Sequence, residues 1–99
     1  MICFEITLNG RRIYTAGVAD GLLNFNAVLH RPDTRKPDEP TGVGVWSLSG
    51  FTDERGFREN VTWAGITELS ETDVITMRVV RSEQPDPPLI RETAEHENY

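Results

Sequence analysis

The chain has 99 residues, 37% hydrophobic and 26% charged, with a single cysteine and a formal charge of −6. That length allows one domain that folds without disulfide or metal, and no apolar run approaches the roughly 18 residues of a membrane span. Five acids and one arginine in residues 83–99 account for −4 of the charge. The body is therefore nearly balanced, which argues against both a nucleic-acid binder and a uniformly acidic mimic.

The first residues lack the basic and apolar regions of an export signal and enter a strand pattern at once. With Cys3 as the only cysteine, a reducing, cytoplasmic location is expected. The sequon Asn60-Val61-Thr62 is then accidental. Ile2, Phe4, Ile6 and Leu8 share one face of the first strand, and Cys3, Glu5 and Thr7 share the other. Asn9-Gly10 marks a two-residue hairpin turn, because both positions must accept positive φ. That turn sets Leu8 opposite Arg11, Ile6 opposite Ile13 and Phe4 opposite Thr15, so Ile6 and Ile13 should meet on the buried face. Glu5, Thr7, Arg12 and Tyr14 should then face solvent or a partner.

A turn at residues 17–21 leads into a strand over 22–30, with Leu23, Phe25, Ala27 and Leu29 on one face. Asn24, Asn26 and His30 lie on the other. Asparagine is depleted in strands, so Asn24 and Asn26 serve either as a recognition surface or as a soluble outer face. Residues 31–42 form a polar loop with three prolines, read as mobile, with partner contact as the second reading. Residues 43–51 make a strand with Trp46 and Leu48 on one face. In the charged loop over 52–59, Phe57 sits among Arg55, Arg58 and several acids, the composition of an interaction hot spot. Alternatively Phe57 folds back to plug the core. A short strand follows around 61–63, and then the pair Ile66 and Leu69.

Residues 73–81 carry the clearest pattern: Ile75, Met77 and Val79 alternate with Thr76 and Arg78, and a central strand is expected there. Asp73 reads as a strand-entry residue that accepts turn hydrogen bonds. Pro85-Asp86-Pro87-Pro88 stops the strand, Leu89 and Ile90 dock on the body, and 91–99 form a polar, flexible tail beyond a domain spanning 1–90. The run from Leu69 through Asp73, Ile75, Met77 and Arg78-Val79-Val80 to Ser82-Glu83 and Asp86-Pro87-Pro88 resembles the C-terminal signature of a group of uncharacterised short bacterial proteins. Thr72 stands where that pattern has glycine. The resemblance implies a bacterial all-β domain and no particular activity.

Chemistry finds little purchase here. His30 and His96 are far apart in sequence, and one cysteine with two histidines makes no metal cluster. The acids lack calcium-loop spacing, and no glycine motif cradles phosphate. No cofactor or metal is expected. A hydrolase using Cys3, His30 or a carboxylate pair is the least favoured reading.

The expected architecture is all-β: an antiparallel sandwich or flattened barrel of six to seven strands. The expected function is non-enzymatic: a protein-interaction domain, of the immunity, antitoxin or accessory kind. Its candidate binding residues are Arg12, Tyr14, Asn24, Asn26, Arg55, Phe57 and Arg58. The alternative is a barrel that binds a small molecule or carbohydrate on aromatics such as Trp46 and Trp63, at least one of which should be buried. Partners would be another protein, with neither nucleic acid nor membrane, and a second copy could pair on an unprotected edge strand.

Overall fold

Alternating apolar residues and tight turns build seven antiparallel strands and no helix in the structure, a computed structural model that describes residues 1–29 and 44–93. They are β1 (Ile2–Leu8), β2 (Arg11–Gly17), β3 (Gly21–Leu29), β4 (Gly44–Thr52), β5 (Glu59–Leu69), β6 (Ile75–Arg81) and β7 (Ile90–Thr93). Two sheets pack face to face, one ordered β2-β1-β6 and the other β3-β4-β5-β7. Between them lie Ile6, Leu48, Val61 and Trp63, all essentially without solvent exposure, with Ala16, Trp46, Ala64 and Leu69 around them. Burying each large apolar side chain of this kind contributes about 1.5–3 kcal/mol. Principal extents of 49 × 39 × 17 Å and a radius of gyration of 16.0 Å describe a flat body; a compact chain of this size would have about 13 Å.

The first hairpin forms as its turn predicts, with Asn9 at φ 51° and Gly10 at φ 82° and with Leu8 opposite Arg11. Beyond the turn the register departs from the expected one. A bulge between Ile6 and Thr7 on the ladder leaves Ile13 unmatched, so Ile6 faces Tyr14 and Phe4 faces Ala16. The extra residue lets Ile13 and Tyr14 both pack against the core, as a bulge turns neighbouring side chains toward one face. Two further irregularities interrupt the β4–β5 ladder, one of them leaving Trp63 unmatched. Trp63 and Ala64, adjacent in sequence, are consequently both buried. The short strand expected at 61–63 is one strand of eleven residues.

The strand expected to be central, β6, is an edge: among the described residues it pairs only with β1. A period of two reports a half-buried face and is silent on the number of neighbours. The turn before it runs from Ser70 to Asp73, closed by the Asp73 N–H on the Ser70 carbonyl at 3.1 Å. Thr72 occupies its third position at φ 79°, the place where a type II turn takes glycine. Asp73 closes this turn as expected. Its carboxylate accepts the Asn9 side-chain amide at 3.0 Å and the Ser70 N–H at 2.7 Å. These bonds hold its pKa below the usual 3.8.

After β6 the chain crosses to the opposite edge and seals it. Asp86 donates its N–H to the Thr15 carbonyl at 2.7 Å, while its carboxylate accepts the Thr15 N–H at 2.8 Å. The Asp86 carbonyl accepts the Trp63 indole at 2.8 Å, which ties the β2 edge to the other sheet. Gly17 permits this strap to close: a Cβ there would lie 2.6 Å from Cys3 Sγ and 3.3 Å from Pro85. Cys3 is thus buried beneath the crossing. The chain then enters β7, which pairs Ile90–Thr93 with β5. Residues 91–93 of the expected tail therefore belong to a sheet, and 94–99 lie outside the described residues, as do the 31–42 loop, His30 and His96.

Candidate functional site

The β4–β5 hairpin gathers three of the seven candidate residues. Its loop, residues 53–58, turns on Gly56 at φ 85°, whose N–H reaches the Asp53 carbonyl at 3.1 Å. That turn carries Phe57 to the surface at 39% exposure, so Phe57 does not plug the core. The Arg55 guanidinium lies 5.7 Å from the Phe57 ring centre, and that of Arg58 lies 4.2 Å from the Phe51 ring. Both are cation–π contacts, at an exposed site worth about 0.5–1 kcal/mol each.

Each arginine also has a carboxylate. Arg58 meets Asp53 at 3.5 Å, and Arg55 meets Glu59 at 3.5 Å. Glu59 is buried and accepts a second guanidinium, Arg91 of β7, at 3.3 Å. A buried carboxylate is costly unless paired, and the two arginines supply that pairing. Glu54 caps the neighbouring connection by accepting the Ala19 N–H. The corner therefore presents the exposed Phe57 ring beside the Arg55 guanidinium, with Arg58 on Phe51, and the charge of each arginine is locally balanced by a carboxylate.

Glu59 and Arg91 have no signal in the sequence, because their pairing depends on β7, most of which falls in the expected tail. The other candidates lie elsewhere. Arg12 belongs to the strap, bonding Asp86 and the Thr15 hydroxyl at 3.1 Å each. Tyr14 is half-buried against the core rather than facing outward, because the bulge at Ile13 inverts its side. Asn24 and Asn26 are exposed on the outer face of β3, opposite Ser49 and Ser47 of β4. Trp46 and Trp63 are both buried, at 3% and 1% exposure, so neither serves in an aromatic platform.

A separate recess of about 210 Å³ opens between the sheets, lined by Ile2, Cys3, Phe4, Val18, Gly21 and Leu23. Among the described residues no three His, Cys, Asp or Glu side chains converge as metal ligands, and no helix is long and apolar enough to cross a membrane. No family model, curated protein or solved structure matches the chain.

Proposed function

We propose that this domain acts by binding another protein, with the Phe57 corner as its contact surface, in the manner of a cytoplasmic immunity, antitoxin or accessory protein. The observation that carries this reading is the half-exposed Phe57 ring held beside Arg55, with Arg58 stacked on Phe51 nearby. Interface hot spots combine aromatic and arginine side chains at positions that lose water on docking. Guanidiniums already balanced by Asp53 and Glu59 lose less on that desolvation than free charges would. The free, buried thiol of Cys3 is consistent with a reducing compartment.

The test is capture from native lysate with the wild-type chain and with Phe57→Ala and Arg58→Glu. One dominant partner should be retained by the wild type and lost by both variants. Truncating a hot-spot aromatic should weaken binding by about 30-fold or more, corresponding to about 2 kcal/mol. Equal retention by all three proteins would overturn the assignment of this corner. The recess lined by Ile2, Phe4, Val18 and Leu23 supports a second reading, a site for a small apolar molecule. It is below the roughly 300 Å³ of ordinary ligand pockets. A thermal-shift screen with apolar metabolites would detect such a ligand.

A further inference from the structure

Among the described residues the outer edge of β6 is unpaired, and Arg78 and Arg81 are the only charged side chains on the strand. It runs for seven residues in unbroken register with β1 and contains no proline, lysine or bulge, three of the devices that keep edge strands from pairing. Arg78 leans back onto Glu5 of its own sheet at 3.5 Å. Val74 and Val79 are more than 60% exposed, and Met77 is 39% exposed. Ile75, Met77 and Val79 lie on the inner face, opposite Leu8, Ile6 and Phe4.

The hydrogen-bond phase of this edge follows from the two ends of the ladder. The Asn9 N–H bonds the Val74 carbonyl at 2.8 Å, and the Ser82 N–H bonds the Met1 carbonyl at 2.9 Å. In an antiparallel pair every second residue turns its backbone groups to the partner. Even-numbered residues of this segment therefore face β1, and Ile75, Met77, Val79 and Arg81 turn their N–H and carbonyl groups to the free edge.

We propose that β6 pairs antiparallel with β6 of a second copy, across a two-fold axis at Met77. The segment Asp73–Arg81 is self-complementary about that residue. Met77 meets its own copy, Ile75 meets Val79, Thr76 meets Arg78, Val74 meets Val80, and the Asp73 carboxylate comes alongside Arg81. Every bonded pair in this register joins residues whose backbone groups already face outward. Moving the axis to Arg78 would set two arginines directly opposite, which is destabilising. Moving it to Thr76 would set Asp73 against Val79 and Val80 against Thr72. Because the axis stands perpendicular to the sheet, the inner faces of both copies stay on one side. Ile75, Met77 and Val79 of the two chains then form a continuous apolar row, within a six-stranded sheet β2-β1-β6-β6-β1-β2.

Sedimentation of the full chain over a wide concentration range should show a monomer–dimer equilibrium. Val79→Pro removes an outward N–H without touching the β1 ladder, and it should abolish the dimer. Arg81→Glu sets two like-charged pairs against Asp73 and should raise the dimer Kd about tenfold. Since a proline variant can also unfold, register is read independently by cross-linking. Met77→Cys brings two Cα atoms to about 5.5 Å across the axis, within disulfide reach. It should give a covalent dimer on mild oxidation, and Arg78→Cys should not. A monomer at every concentration with no Met77→Cys cross-link would overturn the proposal, and so would a dimer that cross-links equally through both cysteines. Protection of the Val79 amide from hydrogen exchange in such a monomer would mean that another segment of the same chain occupies the edge.

Discussion

Asp86 lays both its backbone and its carboxylate against Thr15 along the β2 edge, gathers Arg12, and accepts the Trp63 indole from the opposite sheet. On the far side of the same sheet, Asp73 also accepts a backbone N–H and a side-chain amide, but its bonds join two turns and, among the described residues, leave the length of β6 unpaired on its outer side. One aspartate closes an edge and the other only anchors its end. A sandwich of two thin sheets does not need both sides sealed to keep a core. Ile6, Leu48, Val61 and Trp63 are buried between the sheets, with Trp63 also held by the strap, and the outer side of β6 keeps its backbone groups for something else.

Breaking the strapped side should have the largest effect. Asp86→Ala removes the acceptor for the part-buried Thr15 N–H and for the exposed Arg12 guanidinium. It should cost about 1–3 kcal/mol in urea unfolding, since leaving the part-buried Thr15 donor unsatisfied costs more than its bond contributes. Val79→Thr on the open side should by contrast stay within about 0.5 kcal/mol of wild type. Equal losses at the two positions would erase the distinction between the sides.

A smaller effect, of opposite sign, belongs to the turn that starts the open edge. Thr72→Gly relieves a β-branched residue at φ 79°. It should stabilise the chain by about 0.5–1 kcal/mol, the strain released less the entropy glycine adds to the unfolded chain. A thermal unfolding midpoint that falls would show that the threonine side chain is wanted there.

The smallest effect is a pH dependence. Because the folded-state pKa of Asp73 lies below its unfolded value of 3.8, its contribution is present above that value and is lost as pH falls through the folded pKa. Asp73→Asn should therefore flatten the acid end of the stability–pH profile and leave its shape near neutrality unchanged. An unaltered acid limb would mean that the bonds from Asn9 and Ser70 carry no linkage.

Local chemistry made much of the fold readable. Asn9-Gly10 announces its turn because few residues accept positive φ twice in succession, and Ile75, Met77 and Val79 declare one apolar face. Bulges were hidden, since Ile13 and Trp63 are apolar in either register and nothing in their neighbours marks an unmatched position. The same blindness put Tyr14 on the wrong face. Phe57, Arg55 and Arg58 were found by composition. Glu59 and Arg91 were not, because an ion pair between strands so far apart in sequence has no local signature. Asp86 reads in sequence as part of a proline stop, although prolines on both sides hold its backbone extended and ready to lie along an edge.

The order β2-β1-β6 also bears on how the chain reaches its native state. β1 finds one neighbour two residues away through a tight turn and the other only after β3, β4 and β5 have intervened. A lone two-stranded hairpin is at best marginally stable in water, so the first sheet must wait for the last third of the sequence. Such long closures slow two-state folding into the millisecond-to-second range. Throughout that wait, both flanks of β1 and β2 stand open to other chains.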